Sequence, residues 1–246
     1  MNNLSIIRRS SEDIDWGSLG TQIKEKGVEK VFRIGDSIQF TLKDNSVFSM
    51  DVVGLNIYGC NTAVLVSTDI LPTKCPFNKY DENTKKCVWY NSELRRYLNE
   101  DFIKLLPDEF VKLILARSIT QSVIVPEYDY FNRDGHSFKY LTRELKKEFE
   151  TVDKLWIPSQ TELFNEFNNI NNSSNIDIND RHFPLFNDNK TRIKRFNGKI
   201  EWYPTRTPRH RSDNSFRYVG MDGGLTFNNL FDEKECYIVV GCIIGV

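Results

Sequence analysis

The sequence predicts an α+β domain of twisted antiparallel sheets, with two helices packed on them and long polar loops. Hydrophobic residues make up 39% of the chain and aromatic residues 13%, which is more ring surface than a disordered chain carries. Many short runs alternate apolar and polar residues at a period of two, as strands do, whereas residues 91–116 show helical spacing. The 246 residues suffice to bury a core as one large domain or two small ones.

We divide the chain into a polar lead-in over residues 1–26 and a single domain over residues 27–246. Within the lead-in, Asp15 to Lys26 can form a short helix. Residues 27–72 form an N-terminal β region, with strands predicted from Val28 onwards. VFRIGDSIQFTL and VFSMDVVGL alternate on either side of the turn KDNS, and AVLVSTDIL is continuous enough for a buried strand.

The second part of the domain, residues 87–246, begins with the two predicted helices. Ser92 or Asn91 can cap the first helix, Pro107 ends it, and Asp108 can cap the second. Four apolar residues of the first helix share one face: Leu94, Leu98, Phe102 and Leu105. We expect this face to lie against the sheet.

The remaining sequence predicts strands separated by loops. SVIVPEYDYF is a strand with a breaker, and TRELKKEFET is a short exposed helix or an extended linker. The asparagine-rich stretch from Asn168 to Arg181 has too little apolar surface to be anything but a loop. KIEWYPTR, SFRYVGMDGGLTF with its turn at Asp222, and CYIVVGCIIGV are predicted strands, and the last one suits a domain whose two ends meet.

The stretch DKLWIPSQTELF contains Ser159 and Glu162 at the spacing of a capping box. In that motif the serine hydroxyl accepts a backbone N–H three residues on, and the carboxylate reaches back to the serine amide. A catalytic serine would need a general base and an oxyanion site, and the surroundings are not G-x-S-x-G. We therefore interpret the pair as a helix start, and we predict no catalytic residue.

The most concentrated charge lies in TRTPRHRS, which we call the basic loop, residues 205–212. Pro204 and Pro208 should keep it extended and outside regular structure. Its candidate ligand-binding residues are Arg206, Arg209, His210 and Arg211. These side chains suit a phosphate, a sulfate, a carboxylated sugar or a nucleic-acid backbone. The alternative is a solvated loop in which Arg206 pairs internally, and both interpretations stay open.

Several classes of site are not expected. Lys and Arg number 33 against 34 Asp and Glu, so the net charge of −1 provides no general attraction to nucleic acid or membranes. The three histidines lack the spacing of metal ligands, and no glycine run precedes a helix as a phosphate site requires, so we predict neither metal nor cofactor.

The termini and cysteines bear on location. No apolar run is long enough to span a bilayer, and the N-terminus lacks the apolar core of a signal peptide, so we expect synthesis in the cytoplasm. Five cysteines without C-x-x-C spacing predict reduced thiols, with Cys236 and Cys242 on one strand.

The order of motifs resembles a family of uncharacterised domains found in Firmicutes, other gut bacteria and their phages, known only as domain of unknown function 6273. The resemblance covers about Val28 to the C-terminus. Its first motif, W-x-x-S-x-L-R-x-x-L-N, supplies Trp89, Ser92, Leu94, Arg95, Leu98 and Asn99. Its second supplies Thr151, Asp153, Lys154, Ser159 and Glu162, and its third Thr205, Arg206, Thr207 and Pro208. We treat Trp89, Ser92, Arg95, Asn99, Asp153, Ser159 and Glu162 as structural motif residues.

This chain departs from the family at two places. Pro204 replaces an aromatic residue, and VVGC at residues 239–242 replaces a closing G-V-R-P, so a site that used the closing arginine is in doubt. The arrangement is also similar, at the level of fold, to C-type-lectin-like and sulfatase-modifying-factor-like domains.

The resemblance implies a non-catalytic binding or structural module encoded by a phage or mobile element. Such a module, associated with a virion, would engage a protein or glycan through its loops, and nucleic acid is not the expected partner. The alternatives are a sulfatase-modifying-type enzyme and an inhibitor of a bacterial defence system.

Overall fold

A computed structural model describes residues 4–7, 12–14, 16–77, 88–133, 136–165, 178–208, 215–229 and 235–246. Its strands in the first half are β1 (Leu4–Ile7), β2 (Glu12–Ile14), β3 (Ser37–Thr41), β4 (Val47–Leu55), β5 (Thr62–Ser67), β6 (Cys75–Pro76), β7 (Ile114–Leu115) and β8 (Arg117–Arg133). Those in the second half are β9 (His136–Asp153), β10 (Lys194–Phe196), β11 (Lys199–Glu201), β12 (Tyr203–Pro208), β13 (Ser215–Val219), β14 (Leu225–Asn229), β15 (Glu235–Cys236) and β16 (Gly241–Gly245). The α-helices are α1 (Trp16–Lys26), α2 (Val28–Val31), α3 (Glu93–Arg96), α4 (Asp108–Leu113), α5 (Gln160–Phe164) and α6 (Asn189–Arg192).

The predicted α+β class is confirmed. The largest sheet is curled, has seven strands in the order β2-β1-β3-β4-β5-β16-β7, and is antiparallel at every pairing. The C-terminal strand β16 lies between β5 and β7, and β3, β4 and β5 separate it from β1, so the two ends share a sheet but do not meet as neighbouring strands. Strand β5 is buried along its whole length, which explains its continuous apolar sequence.

Helix α1 forms within the segment where a short helix was predicted. Trp16, Leu19 and Ile23 are buried, and the Trp16 ring centroid lies 4.6 Å from that of Phe110 in α4. The lead-in therefore contributes to the core, although the division of the chain at residue 26 remains a prediction.

The prediction of a strand from Val28 onwards is wrong for its first residues, which are helical. Gly27 has φ of 83°, which ends α1, and the Val28 amide donates to Oδ1 of Asn61 at 2.7 Å, so residues 28–31 form α2. Strand structure begins at Ser37 instead.

The two helices predicted over residues 91–116 are present with irregular geometry, but the second ends at Leu113, since Ile114–Leu115 form β7. Ser92 caps α3 by accepting the Arg95 amide, and the helix continues as a π turn over Tyr97–Asp101 and a 3₁₀ turn over Phe102–Leu105. Asp108 does not cap α4; it is the first helical residue, and its carboxylate accepts a hydrogen bond from Lys43 at 2.6 Å. The predicted apolar face is buried at Leu94, Leu98 and Phe102.

The interpretation of TRELKKEFET as a helix or linker is wrong. These residues belong to β9, which pairs with β8 along a long antiparallel ribbon. Leu145 opposes Val125 and Phe149 opposes Gln121 in its register. Cross-strand pairing overrides the helical preference of Glu, Leu and Lys here. Pro126 lies within β8, which pairs with no strand other than β9 among the described residues, and such edge strands tolerate a proline.

The C-terminal strands differ from prediction in two places. KIEWYPTR is divided between β11 and β12, and the terminal run is divided between β15 and β16, so Cys236 and Cys242 lie on different strands. The turn at Asp222 is confirmed between β13 and β14. Residues 203–208 form β12, so the start of the basic loop is extended, as predicted, but is part of regular structure.

Candidate functional site

The site begins at the predicted capping box, which the structure confirms. The Ser159 hydroxyl accepts the Glu162 amide at 3.1 Å, and Oε2 of Glu162 accepts the Ser159 amide at 2.8 Å. Helix α5 ends at Asn165, which adopts the left-handed conformation that asparagine tolerates. The short helix thus fixes the position of the Glu162 side chain.

The Glu162 carboxylate has three further partners besides its own cap. Arg206 donates through Nη1 to Oε2 at 2.7 Å, and Arg117 donates through Nη1 to Oε1 at 2.5 Å. The Tyr58 hydroxyl donates to Oε1 at 2.8 Å. A residue that the sequence presents only as a helix start is therefore also the centre of a buried polar network.

Asp180 completes that network. Its two carboxylate oxygens accept hydrogen bonds from Nη2 of Arg117 and Nη2 of Arg206. We call Arg117, Glu162, Asp180 and Arg206 the charged quartet. All four side chains are at most 4% exposed, and each arginine joins both carboxylates. Two positive and two negative charges cancel, which is how such groups can be removed from water together.

The two arginines have further partners: aromatic rings for Arg117 and a backbone carbonyl for Arg206. The guanidinium carbon of Arg117 lies 3.7 Å from the ring centroid of Tyr58 and 4.9 Å from that of Trp156. Arg206 also donates through Nη1 to the Ile157 carbonyl at 2.7 Å. Arg117 is therefore held by cation–π contacts as well as ion pairs, and Arg206 by ion pairs and a carbonyl.

The two carboxyl groups respond differently to this setting. Burial alone raises a carboxyl pKa, but in Glu162 the charges of Arg206 and Arg117 outweigh burial and lower the pKa from 4.5 to about 2. In Asp180, burial and the negative charge of Glu162 prevail, and the pKa is raised. Burial and the Glu162 charge also raise the pKa of Tyr58 well above 10, so its hydroxyl keeps the proton it donates.

A surface concavity of about 560 Å³ adjoins the quartet. Its first wall is the loop after β4: Asn56, Ile57, Tyr58, Gly59 and Cys60. Its second wall is Ile178, Asn179, Asp180 and Arg181. Tyr58 and Asp180 belong to both the concavity and the network around the quartet, so the buried ions support its floor. We call this feature the loop concavity.

Hydrogen bonds hold the second wall in place. The Ile178 amide donates to the Thr120 carbonyl at 3.2 Å, and the Asn179 side chain donates to the Thr120 hydroxyl at 3.1 Å. The Arg181 amide donates to the Tyr58 hydroxyl at 3.1 Å, which links the two walls. Residues 178–181 are at the end of the stretch predicted to be a loop, and these hydrogen bonds fix their position.

The predicted binding residues of the basic loop separate into two groups. Arg206 is completely buried in the quartet, which corresponds to the alternative of internal pairing. Arg209, His210 and Arg211 lie outside the described residues, and their role in ligand binding stays a prediction.

The other motif residues of the sequence meet at a second buried point. Asp153 accepts Trp89 Nε1 at 2.9 Å and Arg95 Nε at 2.7 Å. The Asn99 side chain donates to the Leu155 carbonyl at 2.8 Å and accepts the Leu155 amide at 3.1 Å. These contacts fasten the helical segment to the end of β9, in agreement with a structural use of the motif.

Sequence reasoning missed Arg117, Tyr58 and Asp180. Arg117 is the first residue of β8, and Asp180 lies in an asparagine-rich stretch that looks fully solvated, so neither carries a local signal. Lys194 was also missed. It is buried and donates to the Ser67 carbonyl at 2.8 Å, and burial lowers its pKa.

Four cysteines lie in the described residues and form no disulfide there, namely Cys60, Cys75, Cys236 and Cys242, whereas Cys87 lies outside these residues. Cys60 is exposed in the loop concavity, whereas the other three are buried. Burial raises the pKa of Cys75 to about 11 and raises the pKa values of Cys236 and Cys242 further. In this setting the buried thiols hold their protons at neutral pH.

Among the residues that the structure describes, no group of three His, Cys, Asp or Glu side chains could hold a metal ion. No helix in the described ranges is long and apolar enough to cross a membrane.

A family model described as "Domain of unknown function (DUF6273)" matches residues 61–237, which is most of the chain. The resemblance drawn from the order of motifs is thereby confirmed, and all four quartet residues fall inside the match. The first wall of the concavity, residues 56–60, precedes it. No curated protein and no solved structure matches the chain.

Proposed function

We propose that this chain, which belongs to the family described as Domain of unknown function (DUF6273), is a non-catalytic binding or structural module that engages a protein or glycan through its loops. The observation that carries the proposal is the loop concavity resting on the charged quartet. Loops on a rigid support are a common place for recognition. Here the support is a buried ion network that reaches both walls.

The chemistry of the concavity favours a polar partner with some apolar surface. Exposed Asn179 and Arg181 provide an amide and a guanidinium, and Ile57 and Ile178 provide aliphatic contacts. Sugar rings and protein loops both combine hydroxyl or carbonyl groups with C–H faces. The volume of about 560 Å³ is within the usual range of small-molecule pockets, so it suits a short oligosaccharide or a single protein loop.

The quartet favours binding over catalysis. An acid or base must exchange a proton with a substrate, but the carboxylates of Glu162 and Asp180 are each held by two arginines. A cysteine nucleophile needs a lowered pKa, whereas burial raises the pKa values of Cys75, Cys236 and Cys242. These features weigh against acid–base chemistry by the quartet and against a nucleophilic role for these three buried thiols.

The test measures binding of the purified full chain to two kinds of probe: a printed array of bacterial glycans and intact phage particles. We expect saturable binding that R181A weakens at least tenfold, because Arg181 is an exposed charge of the second wall. R195A is the matched control, since Arg195 is an exposed arginine that does not line the concavity. Equal binding by wild type and R181A would remove the concavity from the proposal.

Phage or mobile-element origin and virion association form the finer part of the proposal. They rest on the family resemblance alone, and the two probes separate them from glycan binding. Sedimentation with phage particles supports a virion protein, whereas glycan binding without sedimentation supports an adhesion accessory. The double variant R209A/R211A tests the outer part of the basic loop without disturbing Arg206. Unchanged binding by this variant would exclude that loop from the site.

A further inference from the structure

Two buried cysteines oppose each other across a short strand pair. Strands β6 and β15 are antiparallel, and Cys75 is the direct partner of Cys236 in their register. Directly opposed residues in antiparallel strands have Cα atoms about 4.5 or 5.5 Å apart. Disulfides span Cα separations of about 4.4–6.8 Å, so the backbone places this pair within reach of a bond. The two residues are 161 positions apart, so the sequence alone gives no sign that they oppose each other.

The thiols are reduced and lie near the same backbone. The Cys236 Sγ donates to the Cys75 carbonyl at 3.1 Å, and the Cys75 Sγ donates to the carbonyl of Pro76 at 3.3 Å. A disulfide between the two residues would require each side chain to rotate about its Cα–Cβ bond and give up only these weak hydrogen bonds. Both partners are already buried, so the bond would form without bringing a new polar group into the core.

We propose that Cys75 and Cys236 form a modification site, which is converted to an intramolecular disulfide by exchange with a low-molecular-weight disulfide. The inference is independent of the proposed binding function, because neither cysteine lines the loop concavity.

The exchange has two balanced steps. The Cys75 thiolate attacks one sulfur of the small disulfide, forms a mixed disulfide and releases one small thiolate. The Cys236 thiolate then attacks the Cys75 sulfur, forms the Cys75–Cys236 bond and releases the second small thiolate, while the two protein protons pass to solvent or to the released thiolates. Two cysteines are oxidised, and one small disulfide is reduced to two thiols.

Cys75 is the residue that reacts first with the small disulfide from solvent. It retains 7% exposure, whereas Cys236 has none. The strand pair that shields them is two residues long on each side, so local opening there breaks few hydrogen bonds. Burial raises the pKa of Cys75 to about 11, so the reaction is slow at neutral pH and accelerates about tenfold per pH unit between 8 and 10.

Charge near Cys75 selects the kind of small disulfide. Among the charged groups of the described residues that act most strongly on it, the carboxylates of Glu93, Glu235 and Asp101 raise its pKa and Arg96 lowers it. A cationic disulfide is attracted to this setting, and an anionic one is repelled. Cystamine, which carries two ammonium groups, is therefore the probe.

The experiment treats the full folded chain with cystamine at pH 8 to 10, blocks remaining thiols with an alkylating reagent and maps the peptides by mass spectrometry. We expect a Cys75–Cys236 cross-link and a rise in Tm of roughly 5 to 15 °C that a reductant reverses. Cys242 is the internal control, because it is also buried and the residue opposite it on β5 is Leu65, not a cysteine. In C236S, Cys75 should stop at the mixed disulfide with cysteamine.

Two outcomes would overturn the site. One is a wild-type chain in which Cys75 stays in the mixed disulfide while Cys236 remains free to be alkylated after unfolding. The other is a cross-link of Cys75 to Cys60 or Cys87 in place of Cys236. Both are read from the wild-type protein, so the conclusion does not depend on a variant that fails to fold.

Discussion

Arg206 and Glu162 form a completely buried ion pair, with Arg206 Nη1 and Glu162 Oε2 2.7 Å apart and neither side chain exposed to solvent. The pair joins β12 to the first turn of α5. Asp180 accepts a hydrogen bond from Arg206 and another from Arg117, so the group contains two positive and two negative charges. Burying one such charge without its partner costs more than the pair contributes. A single substitution that leaves one of these buried charges without an opposite charge should therefore destabilise the fold.

Replacing Arg206 by alanine should destabilise the protein by about 3 to 5 kcal/mol, because two buried carboxylates lose half of their positive partners. Urea unfolding followed by tryptophan fluorescence measures the change. R195A removes an exposed arginine and should stay within about 0.5 kcal/mol of wild type. A similar midpoint for R206A and R195A would mean that the quartet contributes little to stability.

The pKa of Glu162 predicts a specific acid dependence. Its folded value of about 2 lies below its ordinary 4.5, so its ionised form stabilises the fold fully above pH 4.5, and the contribution disappears as the pH falls through about 2. The lost contribution is about 3 kcal/mol. The stability difference between wild type and E162Q should therefore shrink by about that amount between pH 4.5 and 2. A difference that stays constant over this interval would contradict the assignment.

Removing the Tyr58 hydroxyl measures the contribution of its hydrogen bonds separately from that of its ring. Y58F loses the bond to Glu162 and the acceptor for the Arg181 amide, and keeps the ring that faces Arg117. We expect a loss of about 1 to 3 kcal/mol in the free energy of unfolding. Y90F is the control, because Tyr90 is 46% exposed. If hydrogen exchange at the Arg181 amide is no faster in Y58F, the link between the two walls does not depend on this hydroxyl.

Two glycines with the same backbone conformation provide a test of close packing. Gly223 has φ of 75°, and a Cβ there would lie 1.8 Å from the Asn189 carbonyl oxygen, whereas Gly198 has φ of 79° and open space around it. G198A should cost about 1 to 2 kcal/mol for its dihedral alone. G223A should cost about 2 to 4 kcal/mol, because α6 must also move away. If both variants lose the same stability in thermal unfolding, the displacement of α6 by the new methyl group has no measurable cost.

Local signals in the sequence predicted local structure well. The spacing of Ser159 and Glu162 identified the start of α5, and Ser92 identified that of α3, because a cap depends on residues three positions apart. The alternation in VFSMDVVGL predicted β4 over its full length. The charged run TRELKKEFET misled, because its pairing with β8 is decided by a partner strand and not by its own residues.

The charged quartet could not be predicted in this way. Arg117 and Glu162 are 45 positions apart, and Arg117 and Asp180 are 63 apart, so no window of sequence contains them together. Arg206 carried a misleading signal, since a cluster of arginines and prolines suggests a solvated loop. Only the folded chain shows that the Arg206 side chain is buried in the core.

The two walls of the loop concavity have different relations to the family. Residues 178–181 lie in the stretch that the family model matches, together with the whole quartet, and residues 56–60 precede it. Insertions or substitutions near Gly59 and Cys60 therefore alter one side of the cleft while every ion pair beneath it is retained. Sequence changes at that hairpin tip can therefore reshape the loop concavity without re-balancing the buried charge.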